Sequence, residues 1–209
     1  MTHIIFSNGF GFDNRFWAQL SELFRDDKDV SVYCKHINHL TAYNRDNRKV
    51  IGIAHSLGFP KLIHSNQGFD YLIGLNAFVN FLGTGRLQKR RGRELVMFQK
   101  QLQQNPTKTL NAFYTKCGAS GWNALEANLH LLYQDIVLLN QAYVAPSHIP
   151  TLIISAADDP IVPLEVVHDN FDELENVTID ILPRGLHALG LVDAKLIYQK
   201  IHHFINHAN

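Results

Sequence analysis

Three residue types at three well-separated points of the chain have the makings of nucleophilic catalysis. The first is Ser56, in Ala54-His55-Ser56-Leu57-Gly58, directly after the apolar run Val50 to Ala54. A serine on a sharp turn between a buried strand and a helix presents its hydroxyl above the sheet. Such a turn needs small residues two before and two after the serine, because it brings them against the neighbouring strand and helix. Ala54 and Gly58 meet that need. Taken alone, the pentapeptide also suits a serine that merely caps a helix. A serine hydroxyl stays a weak nucleophile until a base takes its proton and an acid orients the base. The acids Asp158 and Asp159 come just after the apolar run Thr151 to Ser155, and His187 comes just after the run Val177 to Leu182. The order Ser, Asp, His, each member just past a strand end, predicts acyl transfer to water through a serine-bound intermediate. Such chemistry also needs donors for an oxyanion. The glycine-interrupted turn Ser7-Asn8-Gly9-Phe10-Gly11 offers one backbone N–H and Leu57, next to the serine, offers the second.

Positioning these groups calls for a sheet whose strands end at one edge. Six short apolar runs read as strands: His3 to Ser7, Val30 to Cys34, Val50 to Ala54, Tyr71 to Leu75, Thr151 to Ser155 and Val177 to Leu182. Between them, Asn14 to Phe24 and Ala194 to Phe204 have helical periodicity. Strand alternating with helix, with strands apolar on both faces, predicts an α/β fold with a mainly parallel sheet. The alternation stops from about Gly83 to Pro150, where helices are expected over Leu87 to Gln104, Pro106 to Lys116 and Trp122 to Gln141. The expected organisation is a core of residues 1–82 and 150–209 with a helical lid, 83–149, over the carboxyl ends of the strands.

The 209 residues carry 19 basic and 19 acidic side chains and are 46% hydrophobic, which excludes disordered and fibrous classes and argues against a general nucleic-acid binder. The balance is uneven along the chain. Residues 86–116 hold eight basic groups and one acid, Glu94, whereas residues 117–209 hold three basic and eleven acidic groups. Cys34 and Cys117 match no metal or redox spacing and are expected to be reduced thiols of a cytoplasmic protein. Twelve histidines raise a metal hypothesis. His36 and His39, however, have no nearby carboxylate or cysteine at ligand spacing, His202, His203 and His207 sit in an amphipathic C-terminal segment where solvated histidines are expected, and no metal or organic cofactor is expected. No secretory signal and no transmembrane run is read, and the glycines near Gly9 fit no phosphate-binding pattern.

Together, Asn8-Gly9-Phe10-Gly11 followed by Phe16-Trp17, the elbow His55-Ser56-Leu57-Gly58, the run Asp158-Asp159-Pro160-Ile161-Val162-Pro163 and the late Gly185-Leu186-His187-Ala188 resemble the α/β-hydrolase superfamily. Within it, the chain is most similar to the pimeloyl-acyl-carrier-protein methyl ester carboxylesterases of biotin synthesis. Met97 to Gln103 and Thr109 to Phe113 resemble the lid of that family. The resemblance implies an α/β-hydrolase fold, Ser56 as nucleophile, Asp159 rather than Asp158 as the orienting acid, and His187 as base. It also implies an oxyanion hole of the Phe10 and Leu57 N–H groups. Phe98, Arg90, Arg91 and Arg93 of the lid are the expected substrate-binding residues. The partner implied is an acyl carrier protein bearing the ester, and a basic lid would steer such an acidic protein. The rival expectations are a general short-chain carboxylesterase and a non-catalytic hydrolase-fold binding protein. The chain departs from the family at Asn8, where His is usual, at His55, where Trp is frequent, and at Phe59, where a glycine is usual.

Overall fold

The computed structural model of the chain describes residues 2–26, 30–34, 48–65 and 68–207. His36 and His39 lie outside the described residues, as does the side chain of Cys34. Six strands form one sheet: β1 (Thr2–Ser7), β2 (Val30–Cys34), β3 (Lys49–His55), β4 (Tyr71–Leu75), β5 (Thr151–Ala156) and β6 (Val177–Leu182). All neighbours pair in parallel, in the order β2-β1-β3-β4-β5-β6. Each expected strand is present, displaced by no more than one residue at either end. The reason is physical: β3, β4 and β5 are covered on both faces, so nearly every residue in them must be apolar.

Parallel pairing forces each connection to cross over, and the helices α1 (Ala18–Arg25), α2 (Gly58–His64), α6 (Leu164–Phe171), α7 (Leu189–Val192) and α8 (Ala194–His207) lie in or after those crossovers. The register sets the geometry of the site. Ser7 pairs with Ala54 and Ala54 with Gly74, so β1, β3 and β4 end side by side. The turns that follow, at Asn8, Ser56 and Asn76, are therefore neighbours. Beneath them Phe6, Phe16 and Trp17 are fully buried, with Trp17 4.7 Å from both phenyl rings. Burial of each such ring contributes about 1.5–3 kcal/mol.

The long crossover from β4 to β5 carries α3 (Gly85–Gln104), α4 (Pro106–Cys117) and α5 (Leu129–Leu139). Its two ends are joined by an Asn80–Ala142 bridge and by the Tyr143 N–H, which donates to Val79 O at 2.9 Å. The helix expected over Trp122 to Gln141 is instead a 3-10 turn, Ala124–Glu126, and then α5. The side-chain oxygens of Asn123 and Asn128 accept from Leu125 N and Leu131 N. Each asparagine therefore starts an element of its own, and Leu125, between them, is 77% exposed. Among the described residues no helix is long and apolar enough to cross a membrane.

Candidate active site

Ser56 sits between β3 and α2 with φ at 53°, in the left-handed region that a serine adopts only when its surroundings hold it there. Two hydrogen bonds do so: Ser56 N–H donates to Leu75 O, and Phe59 N–H donates to Ser56 O, both at 3.0 Å. Gly58 explains why the elbow tolerates no larger residue, since a Cβ there would lie 2.3 Å from Ser7 O. The elbow is thus pressed directly against the turn that follows β1.

That turn is held by Asn8, whose Oδ1 accepts from Trp17 Nε1 at 2.6 Å and whose Nδ2 donates to Asn14 Oδ1 at 3.0 Å. Asparagine at this position therefore pins the turn to the segment preceding α1. Among the described residues, the N–H groups of Phe10 and Leu57 donate to no protein acceptor. The Phe10 ring packs edge-on against Phe98 of α3 at 5.6 Å and Phe113 of α4 at 5.5 Å. Phe98 thus borders the turn after β1.

Asp159 and His187 meet beyond β5 and β6. His187 Nδ1 donates to Asp159 Oδ2 at 2.7 Å, and the other carboxylate oxygen accepts from Ile161 N at 2.7 Å and Val162 N at 3.0 Å. Both residues are buried, whereas Asp158 is exposed. With Nδ1 committed to the carboxylate, Nε2 of His187 is left with the lone pair that a base requires. The elbow reaches this pair through His55. Its ring lies 4.6 Å from that of His187, and its Nε2–H donates to His187 O at 3.0 Å. His55 also stacks on Phe16 at 4.3 Å. Burial, reinforced by the neighbouring His187, holds its imidazole well below the ordinary histidine range, so it remains neutral.

Two contributors were not anticipated in the sequence. One is this use of His55. The other is Asn76, at the end of β4, whose amide reaches both the Ala156 N–H and the carbonyls of Leu186 and His187. The signal available was the same one that marked the acids and the histidine, a polar residue just past a strand end.

The structure corrects the assignment of Arg91 to a substrate-binding surface. Arg91 is only 5% exposed. Its guanidinium donates to Phe81 O at 3.1 Å and Ile161 O at 2.8 Å and lies 4.2 Å from the centre of the Phe81 ring. Burial pulls its pKa below the usual guanidinium range, with Glu94 opposing. Arg91 fastens α3 to the turn that carries Asp159. Arg90 is exposed and paired with Glu165 at 2.6 Å, and Arg93 is exposed. Arg91→Ala is therefore expected to lower stability by about 2–4 kcal/mol, while Arg93→Ala stays within about 0.5 kcal/mol. Urea unfolding measures both, and equal midpoints for the two variants would remove Arg91 from this structural role.

A cavity of about 400 Å³ is bordered by Ser7, Gly9, Lys61, Tyr114, Trp122 and Asp135, but not by Ser56, Asp159 or His187. Among the described residues no group of three or more His, Cys, Asp or Glu is arranged to hold a metal ion. His202, His203 and His207 are exposed on α8.

The architecture is that of the α/β-hydrolases. An esterase from Exiguobacterium antarcticum superposes with a TM-score of 0.79 at 11% identity, covering 99% of this chain and 92% of the esterase. A hydrolase from Oleispira antarctica superposes with a TM-score of 0.76 at 15% identity, covering 99% and 92%. A thermophilic esterase from Thermogutta terrifontis gives 0.69 at 13% identity, covering 99% and 90%. No protein-family model and no curated protein sequence matches the chain. At these identities the likeness establishes the fold, and the chemistry has to be argued from the side chains.

Proposed function

We propose that this chain is a serine carboxylesterase. The observation that carries the reading is the buried 2.7 Å bond between His187 Nδ1 and Asp159 Oδ2, joined through His55 to the turn that holds Ser56 at φ 53°. In the reaction, Ser56 Oγ attacks the ester carbonyl carbon and its proton passes to His187 Nε2. The negative oxygen rests on the N–H groups of Phe10 and Leu57, which have no protein acceptor of their own among the described residues. The alcohol leaves with the proton from His187. Water, deprotonated by the same nitrogen, then attacks the acyl-serine, and the free acid departs.

The substrate we propose is the methyl ester of pimeloyl-acyl carrier protein, cleaved to methanol and pimeloyl-acyl carrier protein in biotin synthesis. Support comes from the resemblance of residues 97–103 and 109–113 to the lid of that family and from the charge of α3 and α4. Arg86, Lys89, Arg90, Arg93, Lys100, Lys108 and Lys116 are all exposed there, and Glu94 is the one acid among residues 86–116. Such a surface suits an acidic carrier protein. The helical segment would then act as both lid and docking face. The burial of Arg91 and the pairing of Arg90 with Glu165 take two groups out of that surface and favour the second reading, a general short-chain carboxylesterase.

A fluorophosphonate probe, with peptide mapping, tests the chemistry: modification is expected at Ser56, and an unmodified Ser56 would favour a non-catalytic binding protein. Turnover of free methyl pimelate against the carrier-linked ester tests the substrate. With Lys89→Glu and Arg93→Glu combined, kcat/KM for the carrier-linked ester is expected to fall about tenfold while the free ester is unaffected. Equal effects on both would favour the general esterase.

A further inference from the structure

Asn76 is fully buried and holds φ at 46°, a backbone conformation that asparagine tolerates better than other residues with a side chain. Its neighbours fix how the amide must be oriented. An N–H faces one end and two carbonyls face the other, so Oδ1 accepts from Ala156 N at 2.9 Å while Nδ2 donates to Leu186 O at 3.1 Å and His187 O at 2.9 Å. Its own N–H donates to Ile154 O at 2.8 Å.

The side-chain contacts lead to two members of the proposed catalytic trio, and the backbone next to Asn76 leads to the third. Leu75, the preceding residue, accepts the Ser56 N–H at 3.0 Å, so Asn76 is one peptide unit from the clamp on the nucleophile. Ala156, whose N–H Asn76 receives, itself accepts from Asp159 N at 3.2 Å. His187 is held at its own carbonyl. The side-chain amide thus joins the end of β5 to the loop after β6, and the backbone beside it, at Leu75, holds the turn after β3.

We infer that Asn76 is a positioning residue that sets His187 relative to Asp159 and Ser56. The inference rests on the esterase reading. Without the amide, Ala156 N–H is left unpartnered and Leu186 O loses the side-chain donor that Asn76 supplies. The loop bearing His187 is then free to move by the fraction of an ångström that proton transfer does not tolerate.

Asn76→Gly keeps the left-handed backbone and deletes the amide. Asn76→Asp keeps the size and the acceptor for Ala156 but replaces the donor by an oxygen facing two carbonyls. For both, kcat with p-nitrophenyl acetate and the rate of Ser56 modification by a fluorophosphonate are expected to fall about 10²-fold with KM within twofold. Circular dichroism establishes that each variant is folded, and if Asn76→Gly does not fold, Asn76→Asp decides. A folded variant with kcat and modification rate within threefold of the parent overturns the inference, as does a KM change that accounts for the whole loss. If the parent chain is not modified at Ser56 at all, it is the esterase reading that fails, and the role of Asn76 falls with it.

Discussion

Asp159→Asn is expected to lower turnover of an ester by a factor on the order of 10⁴ while leaving the chain folded. The direction follows from the hydrogen bonds. One carboxylate oxygen accepts from the Ile161 and Val162 N–H groups, at 2.7 and 3.0 Å, and the other accepts from His187 Nδ1 at 2.7 Å. An asparagine must keep its single oxygen toward the two backbone donors, because its NH₂ group there would face hydrogens. The NH₂ is then turned on His187. Nδ1 has to become an acceptor, which moves the ring proton to Nε2, and the nitrogen that should receive the serine proton no longer has a lone pair. Stopped-flow or single-turnover assay with p-nitrophenyl acetate, alongside circular dichroism of the variant, measures the effect. A fall of tenfold or less would mean that His187 acts without the carboxylate.

Gly58→Ala carries the second large expectation, in stability. The added Cβ would meet three backbone atoms: Ser7 O at 2.3 Å, Ser7 C at 2.7 Å and Asn8 O at 2.9 Å. None can rotate away as a side chain can, so either the elbow lifts from β1 or the turn after β1 moves. The expected cost exceeds about 4 kcal/mol, enough to leave much of the chain unfolded. Gly92 in α3 provides the contrast, because a Cβ there meets nothing within 4 Å. Gly92→Ala is expected to stabilise by about 1 kcal/mol through helix propensity alone. Denaturation midpoints of the two variants that moved in the same direction would refute the close-approach argument.

What was legible in the sequence was what depends on local pattern. A strand buried on both faces must be apolar throughout, so Tyr71–Leu75 could be read to the residue, and the edge strand Val177–Leu182 could be read from its alternation of apolar residues with Thr178 and Asp180. The triad candidates could be read because strand ends in a parallel sheet collect at one edge, making a serine, an acid and a histidine after three strands neighbours before any contact is known. Asp158 and Asp159 could not be separated by spacing, since which of two adjacent side chains turns inward is decided by the Ile161 and Val162 N–H groups. Arg91 was misread because its charge was counted and its helical face was not. It lies four residues from both Leu87 and Leu95, on the stripe that also includes Leu102, all of them buried. The break at Asn128 was missed for a related reason: a capping asparagine inside a leucine-rich run outweighs the periodicity around it. Asn76 had no visible partner until the loops were folded, because its acceptors at Leu186 and His187 lie 110 and 111 positions away.

That separation has a consequence for synthesis. His55 and the carbonyl it holds at His187 are 132 positions apart, and the sheet strand leading to His187 is the last of the six. At the usual pace of translation, Ser56 leaves the ribosome roughly ten seconds before His187 is made. On the esterase reading, the nascent chain carries a nucleophile that no base can activate until β5 and β6 have joined the sheet. Esterase activity would then appear only with the finished fold, making its onset a direct clock for completion of the molecule.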